Sequence, residues 1–175
     1  TQPFAPGLPV TVYVTVFGPE TYDYVDWHWH DEVQYCLVLS GEVCFRVADQ
    51  TCRVPRGGGL IINSKVVHMS QPGEGDGQAS YLCANLSTDL APGGHGAELC
   101  RRYLSPILER KGFQARLLAA GDAGVEELLG CLERVYELAK PRKAGTELLL
   151  YGEVLRIWGY TARLLGEGAA PPPEG

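Results

Sequence analysis

No stretch of the sequence approaches the roughly 20 uninterrupted apolar residues of a membrane helix, and no charged-then-apolar leader opens the chain. A transmembrane helix is excluded, and a cytoplasmic protein is expected. The chain starts at Thr1 rather than Met, which is compatible with a trimmed N-terminus. Cationic excess is also missing. Residues 1–95 hold 4 basic and 10 acidic side chains, residues 96–175 hold 11 of each, and the whole carries −6. Neutralising a phosphate backbone needs the opposite balance, so direct nucleic-acid binding by this chain is not expected. None of the six cysteines (Cys36, Cys44, Cys52, Cys83, Cys100, Cys131) forms a CxxC pair, and four lie in apolar, strand-like runs where a thiol acts as a small hydrophobe. Reduced thiols follow. The triplet Gly57-Gly58-Gly59 has neither a following Lys-Ser/Thr nor a GxGxxG pattern, which leaves a tight turn between strands rather than a phosphate loop.

Of the 175 residues, 45% are apolar and 21% charged, enough for one substantial core. From Val10 to Leu86 β-branched and aromatic residues cluster in VTVYVTVF, VQYCLVLS, EVCFRV, GLIIN and SYLCANL, broken by turn residues. This half is expected to be antiparallel β, with tight hairpins at Ser40-Gly41 and Asp49-Gln50 and a surface loop at QPGEGDG. A boundary is expected at APGGHG, residues 91–96. Beyond it a first helix is expected over residues 97–109, kinked or ended by Pro106. A second follows from the i, i+3, i+4, i+7 spacing of Val125, Leu128, Leu129, Leu132, Val135, Tyr136 and Ala139, closed by Pro141. A third, over residues 146–165, carries two apolar stripes. Leu148, Tyr151, Leu155, Trp158, Ala162 and Leu165 form one; Leu150, Val154, Ile157 and Leu164 form the other. One supporting surface cannot bury both, so a second partner is expected, and the seven-residue repeat of Leu150, Ile157 and Leu164 points to a homodimer through that stripe.

Three of the four histidines fall in the β half: His28, His30 and His68. Residues two apart on a strand share a face, so His28 and His30 stand together, followed on that face by Gln34 and Cys36 if the strand is regular. His68, after the GLIIN strand, can meet them from across the fold. Three neutral imidazoles in an apolar setting suit a divalent transition ion; the other reading of HxH is a pair of hydrogen-bonded interior polar groups. His95, in GGHG, is expected to be an exposed loop residue. Trp27 and Trp29 alternate with the histidines and are expected to pack the outer sheet face. Asp31 and Glu32 are neighbours facing opposite ways, not a paired acid and base, and Cys36 is a filler with no base placed for it.

The stretch His28-Trp-His30-Asp-Glu-Val-Gln34, then six residues and Gly41, resembles the first cupin motif, HxHx(3,4)Ex(6)G. Gly57, five residues, Asn63, Ser, Lys65, two residues and His68 keep the register of the second, Gx(5)PxGxxHx(3)N. HWHDE, the SGEV turn and PRGGGLIINSKVVH together resemble the sensory domain of AraC-type transcription regulators, whose PGD-type turn lies about eleven residues before the histidine. The departures are Gln34 for the motif glutamate, Tyr22 for the first glycine, Asn63 and Lys65 for the proline and glycine, and Pro72 for the last asparagine. A neutral three-His, one-Gln set lacks a charged ligand, so it would bind zinc, nickel, iron or manganese more weakly than the motif set and equally suits a metal-free pocket for a sugar-like or aromatic molecule; no cofactor is required.

The resulting expectation is an α+β fold: a cupin-like antiparallel β-barrel at residues 1–95, a helical dimerisation segment at 96–166, and a tail or linker at 167–175. The resemblance implies the effector-binding and dimerisation part of a regulator, with a small molecule held by His28, His30, Gln34, Cys36 and His68, and with DNA-binding modules beyond the tail. The competing class is a metal-dependent cupin enzyme, a dioxygenase or isomerase, using His28, His30, His68 and Gln34.

Overall fold

A computed structural model describes residues 8–21, 23–88, 95–140 and 142–166. The five-stranded sheet runs in the order β1 (Val10–Phe17), β8 (Ala79–Leu86), β3 (Val33–Ser40), β6 (Gly59–Ile62), β9 (Ala115–Leu118). The four-stranded sheet runs β2 (Val25–His28), β7 (His68–Pro72), β4 (Glu42–Val47), β5 (Gln50–Pro55). Every pairing is antiparallel. The expected closed barrel is therefore two sheets, in the manner of a cupin jelly roll. The expected boundary at residues 91–96 and tail at 167–175 fall largely or wholly outside the described residues, as do Tyr22 and Pro141.

Strand β3 shows why its sequence is almost continuously apolar. Cys36 and Val38 join Phe17, Phe45, Leu60, Ile62 and Tyr81 in one core, while Val33, Tyr35 and Leu37 enter a second core shared with the helices. A strand buried on both faces has no polar side to present. Strand β8 divides the same way, with Tyr81 and Cys83 in the first core and Leu82, Ala84 and Leu86 in the second. The five-stranded sheet is thus the middle layer of three.

The outer layer is helical. Helix α1 (His95–Tyr103) and the short α2 (Ser105–Leu108) are separated at Leu104, with Pro106 in the first turn of α2, where its missing N–H costs no bond. His95 therefore opens a helix instead of sitting in a loop. Helices α3 (Glu126–Leu138) and α4 (Thr146–Leu165) cover the sheet. Leu128, Leu129, Leu132 and Val135 of α3 meet Leu150, Val154, Ile157, Trp158 and Leu164 of α4 in the second core.

This reverses the expected roles of the two stripes. Leu150 and Ile157 are fully buried and Leu164 nearly so, inside their own chain, whereas Leu148 is 80% exposed, Leu155 43% and Tyr151 39%. Leu150, Ile157 and Leu164 cannot form a dimer interface while holding α4 to the fold. Strand β9, for which the sequence carries no clear strand signal, extends the sheet beyond β6, with Gly59 opposite Leu118 and Ile62 opposite Ala115.

The expected hairpin at Ser40-Gly41 is instead a corner, because β3 and β4 belong to different sheets. Gly41 sits at φ +65° and a Cβ there would collide with the Gln78 carbonyl, so glycine alone fits the corner. The β4–β5 hairpin does form, with Val47 opposite Gln50 and Ala48 at φ 51° in the turn.

A convergent histidine triad

Strand β2 ends at His28, whose register partner is His68 at the start of β7. The chain then leaves the four-stranded sheet through residues 29–32 and enters the five-stranded one at Val33, carrying His30 and Gln34 toward the same point. Crossing between sheets, not two-residue alternation along one strand, brings the histidines together. Ring centroids lie 5.8 Å apart for His28 and His30, 4.3 Å for His28 and His68, and 5.2 Å for His30 and His68. One nitrogen from each ring lies within 4.8 Å of the others.

Backbone carbonyls set the tautomers. His28 Nδ1 lies 2.7 Å from the Asp26 carbonyl oxygen, His30 Nδ1 3.1 Å from that of Glu32, and His68 Nδ1 2.8 Å from that of Val66. A carbonyl only accepts, so each Nδ1 donates, and in a neutral ring Nε2 then carries a lone pair. Gln34 Oε1 stands 3.0 Å from His30 Nε2 and 3.2 Å from His68 Nε2, while its amide nitrogen donates to Cys36 Sγ at 3.2 Å. Burial, reinforced by the neighbouring His28 and His30, pushes the His68 imidazole down to about 4, against the opposing pull of the Val66 carbonyl. His68 is neutral at physiological pH.

The loops around the triad are tied to one another. Lys65, at φ 61°, donates its backbone N–H to the His30 carbonyl at 2.8 Å, and the Ser64 hydroxyl donates to the Asp31 carbonyl at 2.6 Å. Lys65 Nζ lies 3.8 Å from Asp31 Oδ1, and Glu32 Oε2 lies 3.5 Å from His30 Nδ1. Asn63, seen in the sequence only as a departure from a motif proline, has a structural task. Its amide donates to the carbonyls of Leu108 and Phe113 at 2.8 and 3.0 Å, and its Oδ1 accepts the Ser64 N–H at 2.8 Å. It fastens the loop before His68 to the segment between α2 and β9.

His28, His30, Gln34 and His68 thus meet, with Cys36 behind Gln34. Phe17, Phe45, Leu60, Ile62 and Tyr81 fill the space between the sheets, so the polar groups gather at one end of the sandwich rather than line a hollow interior. Of the two tryptophans expected on the outer sheet face, Trp27 stands there and Trp29 lies beyond the end of β2. Trp27 is exposed beneath the Arg46 guanidinium, 5.5 Å from its ring, and Trp29 is the more exposed of the two.

The donor set fits a divalent first-row ion in kind. Three imidazole nitrogens have their second nitrogens held by carbonyls, the outer-shell arrangement that orients metal-binding histidines. Gln34 adds only a neutral oxygen.

An uncharacterized HTH-type transcriptional regulator of Bacillus subtilis strain 168, YdeC, is 27% identical over 151 residues, or 86% of this chain and 50% of the relative. The chain therefore spans about half the length of that relative. Among solved structures, a cupin superfamily protein from Desulfitobacterium hafniense is 17% identical with a TM-score of 0.42, covering 49% of this chain and 74% of its own. An oxalate decarboxylase from Lactobacillus farciminis is 16% identical with a TM-score of 0.41, covering 49% of this chain and 25% of its own. Residues 10–154, from the first strand through most of the last helix, match the model of the AraC-like ligand binding domain, and the chain belongs to that family.

Proposed function

We propose that this chain is the sensory and dimerising module of a cytoplasmic AraC-type regulator: a small effector binds at the His28–His30–His68 triad, and a second copy docks on α4. DNA contact belongs to other parts of the regulator. The observation that carries the reading is the division of labour across one strand. Gln34 of β3 reaches the triad, and the next residue, Tyr35, is buried against α4, where its hydroxyl and that of Thr161 are 2.7 Å apart and its ring meets Trp158 edge-on at 6.0 Å. A ligand that moves Gln34 acts directly on the strand that holds α4, which supplies the differential contact a sensor needs.

The dimer surface is the outward stripe of α4. Leu148, Gly152, Leu155 and Gly159 repeat at intervals of four, three and four residues, the spacing of a helix–helix seam. A Cβ at Gly152 or Gly159 would meet nothing within 4 Å. An antiparallel copy centred between residues 153 and 154 lays Leu148 over the partner helix at Gly159 and Leu155 over it at Gly152. Large side chains fill small positions twice over by symmetry.

His28, His30 and His68, with Gln34, would hold a divalent ion if one is present, and such an ion would supply a Lewis-acidic contact to the effector. A metal-dependent cupin enzyme is the second reading, and the triad favours it. One experiment separates the two. Thermal-shift screening of sugars, aromatic acids and amines, with and without added zinc, nickel, iron or manganese, identifies a stabilising compound. Its recovery unchanged after long incubation with excess protein supports the sensor; a reproducible product that disappears in His30→Ala supports the enzyme.

A further inference from the structure

The triad gathers more acceptors than donors among the described residues. Each Nδ1 donates to a backbone carbonyl, so all three Nε2 atoms are acceptors, and Gln34 presents a fourth acceptor, Oε1, to two of them at 3.0 and 3.2 Å. Acceptor facing acceptor at hydrogen-bond distance is repulsive unless a donor stands between. Rotating the Gln34 amide by half a turn balances His30 and His68 but brings nothing to His28. Its two N–H groups then face His30 and His68, and its oxygen accepts the Cys36 thiol. In either amide orientation three Nε2 lone pairs converge, an arrangement suited to a ligand that brings several hydrogens.

The charge around the triad points the same way. There is no Lys or Arg in residues 1–45, while Glu20, Asp23, Asp26, Asp31, Glu32 and Glu42 lie there. Two basic side chains lie nearby: Lys65, whose ammonium faces Asp31, and Arg46, whose guanidinium covers the Trp27 ring. A carboxylate or phosphate would meet lone pairs and negative charge. A sugar hydroxyl brings one hydrogen each and no charge, whereas a primary ammonium brings three hydrogens on one cationic atom. Size agrees as well: acceptors about 2.9 Å from a tetrahedral nitrogen stand roughly 4.7 Å apart, and the triad nitrogens lie within 4.8 Å of one another. A tetrahedral ion with bonds of about 2.1 Å needs its ligands only about 3.4 Å apart, and a set of nitrogens within 4.8 Å accommodates either guest.

We propose that the effector is a small primary amine whose ammonium group donates to Nε2 of His28, His30 and His68, the N–H toward His30 being shared with Gln34 Oε1, 3.0 Å from that nitrogen. This rests on the reading of the triad as the effector site and names the chemical class that it takes.

The test uses the 175-residue chain with EDTA in an amine-free phosphate buffer near neutral pH. Methylammonium chloride is compared with tetramethylammonium chloride, which has the same charge and no N–H, and with acetate and glucose. Methylammonium should raise the melting temperature in a saturable way, and tetramethylammonium should not. His30→Ala and Gln34→Leu, each removing an acceptor of the charged donor, should weaken methylammonium binding about tenfold or more. Glu32→Gln, outside the acceptor set, should weaken it only a few-fold and keeps the test alive if the other variants misfold. Equal stabilisation by tetramethylammonium, or a methylammonium effect that survives in every variant, overturns the proposal. Acetate or glucose stabilising the chain and failing in the same variants overturns the amine class but leaves the effector site standing. If none of the four probes, nor any compound of the wider screen, stabilises the wild type, both readings fall.

Discussion

Truncating Ile157 to alanine distinguishes a core role from an interface role for the inner stripe of α4. Ile157 is 0% exposed and sits in the core with Leu132, Val135 and Tyr35. Removing a buried isoleucine beyond its β-carbon costs about 2–5 kcal/mol, through lost transfer energy and the cavity left behind. For a chain of this size each kcal/mol lowers Tm by about 2–4 °C, so Ile157→Ala should melt about 4–20 °C below wild type. Leu155→Ala removes a side chain that is 43% exposed, and the fold of the single chain should lose less than about 1 kcal/mol. Calorimetry gives the melting shifts and sedimentation velocity the association state at the same protein concentration. A folded Ile157→Ala with unchanged Tm but lost self-association would refute the assignment of the inner stripe to the core. Leu148→Glu with Leu155→Glu should instead give a monomer with native secondary structure.

Three further outcomes follow from the packing and the site. Tyr35→Phe removes the hydroxyl that meets Thr161 Oγ1, itself bonded to the Ile157 carbonyl at 2.7 Å, and should cost about 1–2 kcal/mol by chemical denaturation. His68 is held near 4 in the fold against a reference of about 6.5, so between those values the unfolded chain binds the extra proton. Its contribution to stability is therefore complete above about pH 6.5 and lost as pH falls toward 4, and His68→Asn should flatten that part of the urea midpoint profile. Gly41→Ala should lose about 1–3 kcal/mol, because the corner needs φ +65° and the Gln78 carbonyl occupies the place of the added methyl; an unchanged Tm would contradict the corner.

The β half was legible in the sequence because strands with two buried faces leave long apolar runs, as in VQYCLVLS, and because turn residues separate them. Strand β9 escaped because Ala115–Leu118 is four residues long and pairs only along one edge, with β6, leaving Arg116 and Leu117 exposed. Both stripes of α4 are apolar, and periodicity alone does not say which one meets the sheet. Packing decides it: Trp158, counted in the outer stripe, turns inward against Tyr35, and Leu150, Val154 and Ile157 follow. At the site, the three histidines and Gln34 were all visible by spacing. What spacing could not carry was the Nδ1 contact to a carbonyl at each ring, since those contacts arise from the local backbone at Asp26, Glu32 and Val66. Asn63 was hidden for the same reason, as its partners Leu108 and Phe113 are distant in sequence.

The proposed effector capture at this end of the sandwich rests on three Nε2 lone pairs converging from His28, His30 and His68. Long-range 1H–15N correlation spectra of the 15N-labelled, EDTA-treated chain near neutral pH report directly which nitrogen of each ring holds the proton. The expected result is the Nδ1–H tautomer, the minor form of free imidazole side chains, at all three residues, with the three Nε2 signals moving together when a stabilising compound is added. Protonation at Nε2 in His30 and His68, with their Nδ1 atoms free of hydrogen, would contradict the carbonyl anchoring and the acceptor site built on it.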